Sequence, residues 1–110
     1  MKEREIQRAV LEYLRLRKFF CWKNNTVGIY KKDTGKYIPS QSVGSPDIFL
    51  VIKGQIYGLE IKSEKGKQSE SQKRWQLLFE AAGGKYFIVN SLSELLKIIS
   101  KYEEKKEAQV

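Results

Sequence analysis

Apolar residues recur at different spacings along this chain, and each change of spacing marks a change of element. Over residues 3 to about 18, "EREIQRAVLEYLRLRK", Ile6, Val10, Tyr13 and Leu14 recur at helical intervals while Arg and Lys fill the other faces, which predicts an amphipathic helix. Four bulky apolar residues in a row, "FFCW" at 19–22, then predict a first, buried strand. The stretch that follows is polar and rich in Gly and Asn. Within it Asp33-Thr34-Gly35 has the form of a hairpin turn between "VGIYKK" and "KYIPS", whose lysines and tyrosines are placed to face a nucleic acid.

Residues 48–53 and 55–63 read as two strands with a turn near Lys53-Gly54-Gln55, and "SEKGKQSE" as a charged loop. Ser69 with Gln72 has the form of a capping box; Leu77, Leu78, Ala81 and Ala82 supply an apolar face before Gly83-Gly84 ends the helix. A short strand "KYFIVN" comes next. Ser91 with Glu94 marks a second helix start, and Leu92, Leu95, Leu96 and Ile99 form the apolar face of the last helix. The expected order is helix, three or more strands, helix, strand, helix, in one domain over 1–102, with 103–110 a frayed tail.

Composition narrows the function classes. A chain of 110 residues, 41% hydrophobic and 31% charged, has the size and balance of one globular domain around one core. Lys and Arg number 21 against 13 Asp and Glu, a net charge of +8, which suits a polyanionic partner, most often nucleic acid. No apolar run approaches the roughly 20 residues needed to span a bilayer, and the charged, amphipathic start is no signal peptide; an intracellular protein without a membrane partner is expected. The single Cys21 precludes an internal disulfide or a cysteine-rich zinc site and reads as a packed core residue. There is no histidine, which excludes histidine-based triads, acid–base pairs and metal sites. Any catalysis must run on carboxylates, lysines and hard metals.

The stretch "GSPDIFLVIKGQIYGLEIKSEKG" at 44–66 carries the candidate chemistry. If the hairpin turn is Lys53-Gly54, Asp47 lies directly opposite Glu60; if it is Gly54-Gln55, Asp47 faces Lys62 with Glu60 as diagonal neighbour. Either register puts all three on one face, because side chains alternate with period two. Carboxylates meeting in a sheet repel, and burying one without a partner costs several kcal/mol, on the order of an uncompensated buried charge. With a third carboxylate, two converging acids describe an oxygen-ligand site for Mg²⁺ or Mn²⁺, and an adjacent ammonium completes the parts for phosphodiester hydrolysis. The spacing equally suits a turn cap at Asp47 and an ordinary cross-strand charge pattern at Glu60 and Lys62.

Pro46-Asp47, followed by Glu60-Ile61-Lys62, resembles the Pro-Asp and Glu-x-Lys signature of the PD-(D/E)xK nuclease superfamily. Within it the chain most resembles the VRR-NUC (virus-type replication-repair nuclease) domain, over about residues 3–99, in "EREIQRAVLEYL", "GSPDI", "LEIKSEKGKQSESQKRW" and "AAGGKYFIVNSLSEL". The resemblance implies an α/β fold with a restriction-endonuclease-like core, a mixed central sheet flanked by helices. It also implies a one- or two-metal (Mg²⁺ or Mn²⁺) site that hydrolyses DNA. By family pattern Asp47, Glu60 and the Ile61 backbone carbonyl are metal ligands and Lys62 is the catalytic lysine. An acid on the first helix completes the set; Glu3 and Glu5 both qualify, and similarity of "ERE" to archaeal-type junction resolvases favours Glu3. A helix-start charge is the plainer role for Glu3.

Gln72 matches a glutamine that these nucleases carry near the site, a role that competes with its capping box. Lys65, Lys67, Lys73 and Arg74 are candidates for DNA phosphate contacts or, alternatively, a solvated charged surface. Trp75 reads as core, with Trp22 and Tyr30 as further DNA candidates. The implied substrate is branched DNA such as a four-way (Holliday) junction, cut by a homodimer of a phage-type protein, with nick- or flap-directed or nonspecific cleavage as the alternative. An inactive nucleic-acid-binding module is a further one.

Overall fold

A computed structural model describes residues 2–24, 29–38 and 43–108, except the side chains of 29, 30, 37, 38 and 102–108. Its elements are α1 (Glu3–Leu16), β1 (Phe20–Lys23), β2 (Ile29–Lys31), β3 (Lys36–Ile38), β4 (Ile48–Ile52), β5 (Gln55–Ile61), α2 (Glu70–Ala81), β6 (Lys85–Val89) and α3 (Leu92–Ala108). Four strands form a mixed sheet in the order β1-β4-β5-β6: the first three run antiparallel, and β6, reached through the α2 crossover, lies parallel to β5. The α/β fold with a mixed sheet flanked by helices is therefore the one expected. β2 and β3 pair separately around the Asp33-Thr34-Gly35 turn.

Strand alternation sorts the sheet into two unlike faces. Cys21, Ile48, Leu50, Ile52, Tyr57, Leu59, Ile61 and Val89 point to one side and pack against Ile6, Val10, Leu11 and Leu14 of α1 and Leu95 and Ile99 of α3. The other side carries Trp22, Phe49, Gly58, Glu60 and Tyr86, joined by Trp75 and Phe79 from α2. Gly58 matters there because a Cβ would stand 2.8 Å from the Pro46 ring and 3.3 Å from Phe79, so only a bare backbone lets both lie on the strand.

Four expectations need correction. "FFCW" forms a strand, but an edge strand: β1 pairs with β4 alone, and Phe20 and Trp22 are 72% and 40% exposed. The inward side of α2 is Gln72, Trp75, Gln76 and Phe79, not the expected Leu77, Leu78, Ala81 and Ala82, which are exposed. Aromatic bulk and a glutamine directed at a buried acid take the inner positions, and the aliphatic residues are displaced outward. On α3, Ile98 packs on the core and Leu96 is 39% exposed. α1 stops at Leu16, short of residue 18, because Lys18 is left-handed (φ 59°) and its N–H and that of Phe19 bond back to the Arg15 and Leu14 carbonyls. The last helix, α3, continues to Ala108. Among the described residues no helix is long and apolar enough to cross a membrane.

Candidate active site

The β4–β5 turn decides what meets Asp47. Lys53 and Gly54 both have positive φ, 48° and 81°, the two-residue turn whose twist matches paired strands, and Ile52 therefore faces Gln55 and Ile48 faces Leu59. Extended by one position, this register brings Asp47 opposite Glu60, the first of the two registers open to the sequence.

Three things hold Asp47 there. Pro46 is fully buried, Ser45 is 6% exposed, and Gly44, at φ 91°, packs so closely on the Ser71 carbonyl that no Cβ fits. Asn24, just past β1, clamps the loop: its Nδ2 donates to Ser45 Oγ (2.7 Å) and the Pro46 carbonyl (3.0 Å), and its N–H donates to the Asp47 carbonyl (2.8 Å). The Ile61 N–H then donates to Asp47 Oδ2 at 2.7 Å. Ile61 thus orients one carboxylate through its backbone while its side chain sits in the core.

Glu60 is 3% exposed, pointing from the centre of the sheet toward α2. Gln72 Nε2 donates to its Oε1 at 2.7 Å, and Lys62 Nζ stands 3.8 Å from the same oxygen. Gln72 caps and reaches the acid at once: its Oε1 accepts from the Ser69 N–H at 2.8 Å in a complete capping box, and that fixes the amide whose N–H₂ group reaches Glu60. Glu60 Oε2 and the Tyr86 hydroxyl are both buried and lack a hydrogen-bond partner.

Burial and crowding raise both acids. Glu60 is pushed up to about 8, first by desolvation and then by the Asp47 charge, against the pull of Lys62. Asp47 also lies above its ordinary value, chiefly from burial, with the Ile61 hydrogen bond opposing and Glu3 adding to the rise. Tyr86 is raised to about 12, again mainly by burial.

Glu3, and not Glu5, is among the charges acting on both acids. It is exposed at the start of α1, its Oε1 3.3 Å from where a Cβ on Gly66 would be, so that glycine admits the loop after β5 to its carboxylate. Among the described residues no three His, Cys, Asp or Glu side chains are gathered tightly enough to hold a metal ion. The carboxylates face a common region without forming a closed ligand set. The donor chemistry nonetheless fits a hard divalent cation: oxygen ligands only, a buried Glu60 and a partly buried Asp47 both raised above their ordinary values, and one buried carboxylate oxygen without a hydrogen-bond partner.

Lys65 and Lys67 lie exposed on the β5–α2 loop and Lys73 and Arg74 on the first turns of α2, with Lys73 3.4 Å from Glu70. Trp75 is half-buried against Phe79, Phe49 and Tyr86, on the sheet face opposite the main core. The Tyr30 side chain lies outside the described residues. Sequence reasoning missed Asn24 and Tyr86. Asn24 sat in a run read only as polar loop; Tyr86 held an inward position of the "KYFIVN" strand, which strand alternation would have placed on Glu60's face once β6 was set beside β5.

No protein-family model matches the chain, and no curated protein does. A solved structure described as a VRR_NUC domain is similar, with a TM-score of 0.68 and 24% identity over 93% of this chain and 98% of that one. The likeness in fold extends over nearly the whole of both chains.

Proposed function

We propose that this fold of the VRR_NUC type is a metal-dependent nuclease that hydrolyses DNA phosphodiester bonds. The observation that carries the reading is the hairpin register, which sets Asp47 opposite Glu60 with Lys62 3.8 Å from the Glu60 carboxylate. An ordinary solvated charge pattern would not be 3% exposed.

Asp47, Glu60, the Ile61 carbonyl and Glu3 are the groups that would hold Mg²⁺ or Mn²⁺, which when bound supplies an activated water and a positive charge on a phosphate oxygen. The chain's own residues do the rest. The Ile61 N–H fixes Asp47 Oδ2, and the Gln72 amide fixes Glu60 Oε1, the oxygen 3.8 Å from Lys62 Nζ. Lys62 offsets negative charge developing on the phosphate or orients the nucleophile. Lys65, Lys67, Lys73 and Arg74 bind flanking phosphates without reading sequence; the exposed Lys73–Glu70 pair contributes little on its own and releases its lysine readily.

The preferred substrate is branched DNA such as a four-way junction, cut in paired fashion by a two-fold homodimer. The test compares labelled four-way junction, flap and linear duplex with Mg²⁺, Mn²⁺ or EDTA, alongside the mass in solution. Symmetric, metal-dependent cuts in the junction by a dimer are expected. Equal cutting of duplex or flap, or a monomer at working concentration, would remove the junction and leave the nuclease.

A further inference from the structure

The aromatic residues on the sheet face that carries Glu60 form a continuous row that ends in the open. Trp75 packs on Phe79 (ring centroids 4.7 Å apart) and Phe49 (5.9 Å); Phe49 packs on Trp22 (5.3 Å); and Trp22 meets Phe20 edge-on at 5.9 Å. Exposure rises along the row, from half-buried Trp75 and Phe49 to Trp22 at 40% and Phe20 at 72%. One side of the Trp22 indole is supported by Phe49, which holds it in a fixed orientation without covering it.

Adjacent exposed aromatics on an edge strand are an aggregation liability unless something binds them. Position and charge indicate what. Trp22 is two residues, about 7 Å of strand, from Asn24, whose N–H bonds the Asp47 carbonyl. Between them Lys23 is exposed and close enough to lower the Asp47 carboxyl by its charge. Lys18 stands exposed just before the strand, on a chain of net charge +8. An exposed aromatic pair on a basic chain, with Lys18 and Lys23 at the two ends of its strand, suits a ligand that is polyanionic and also presents flat, unpaired π-faces. A nucleic-acid strand with unstacked bases has both properties, whereas intact duplex hides its base faces.

We infer that Trp22 and Phe20 form a stacking platform for unpaired nucleotides next to the Asp47–Glu60 site. This inference rests on the nuclease reading and deepens it: the platform would favour substrates with single-stranded character beside the phosphate to be cut.

The experiment is a binding titration in EDTA, so that no cleavage enters the readout. With Trp75→Phe as background, emission comes from Trp22 alone and is followed against oligothymidylate and against blunt duplex. Oligothymidylate is expected to quench Trp22. Phe20→Ala, which removes an exposed ring and leaves the fold intact by circular dichroism, should weaken oligothymidylate binding by about ten-fold and duplex binding by less than about two-fold. Trp22→Leu should act in the same direction and more strongly. Unchanged Trp22 emission, equal losses for both ligands, no DNA binding, or a Phe20→Ala effect confined to oligomeric state would each overturn the platform. A wild type that binds oligothymidylate through Trp22 but cuts no DNA with any metal would instead overturn the nuclease reading and leave the platform standing.

Discussion

Asn24 shows how much of the site depends on a residue with no chemistry of its own. Its three hydrogen bonds tie the end of β1 to Ser45, Pro46 and Asp47, and two of them come from one amide. Asn24→Ala should lower stability by about 1–3 kcal/mol, the cost of leaving partly buried partners unpaired, and should slow cleavage while DNA affinity is retained. Denaturant melts and single-turnover rates check this; a stable variant of normal rate would contradict it. Glu60 leads to a second expectation, of definite sign. Its folded pKa is raised to about 8, so between the ordinary glutamate range near about 4.3 and that value the folded chain holds a proton that the unfolded chain has lost. The stability from this group is complete below that window, declines as pH rises through it, and changes no further above it. The raised Asp47 acts in the same direction at the acid end. In EDTA, Glu60→Gln should therefore flatten the fall of thermal midpoint between about pH 5 and pH 8; an equally steep fall in the variant would place the pH dependence elsewhere.

The elements divide into those legible in the sequence and those that were not. A turn within Lys53-Gly54-Gln55, the Ser69–Gln72 box and the Gly83-Gly84 stop follow from local rules of backbone angle and end-capping, and each is found there. The exposure of Phe20 and the outward turn of Leu77 and Leu78 follow from strand order and from competition for the inner face of α2. No window of sequence contains either. The choice between the two registers was likewise open in the sequence, because Gly54 permits both turns; positive φ at Lys53 as well as Gly54 marks the one adopted. Gln72 joins the two levels, since the capping box that starts α2 also aims its amide at Glu60. Two variants separate these roles. Ser69→Ala removes the cap alone and should cost about 1 kcal/mol with most of the cleavage rate retained; Gln72→Ala removes the Glu60 contact as well and should lose considerably more rate. Equal rates in the two variants would assign Gln72 to capping only.

At the scale of the whole molecule, one sheet separates two environments. α1 and α3 pack on one side around a fully apolar core, and α2 half-covers the other, where two acids, a lysine and a glutamine stand among aromatic rings. The fold resembles a VRR_NUC domain at 24% identity, a level at which short ordered motifs remain visible while side-chain contacts such as those of Asn24 do not. If the charges assembled by the β4–β5 register are catalytic, removing either of two of them must stop the reaction without stopping binding. The measurement is single-turnover cleavage of labelled DNA in Mg²⁺ or Mn²⁺ by the wild type, Asp47→Ala and Lys62→Ala, with DNA binding measured in parallel in EDTA. The prediction is metal-dependent cutting by the wild type, with both variants binding but failing to cut. Undiminished cleavage by either variant, or a wild type that binds DNA and cuts under no metal, would contradict it.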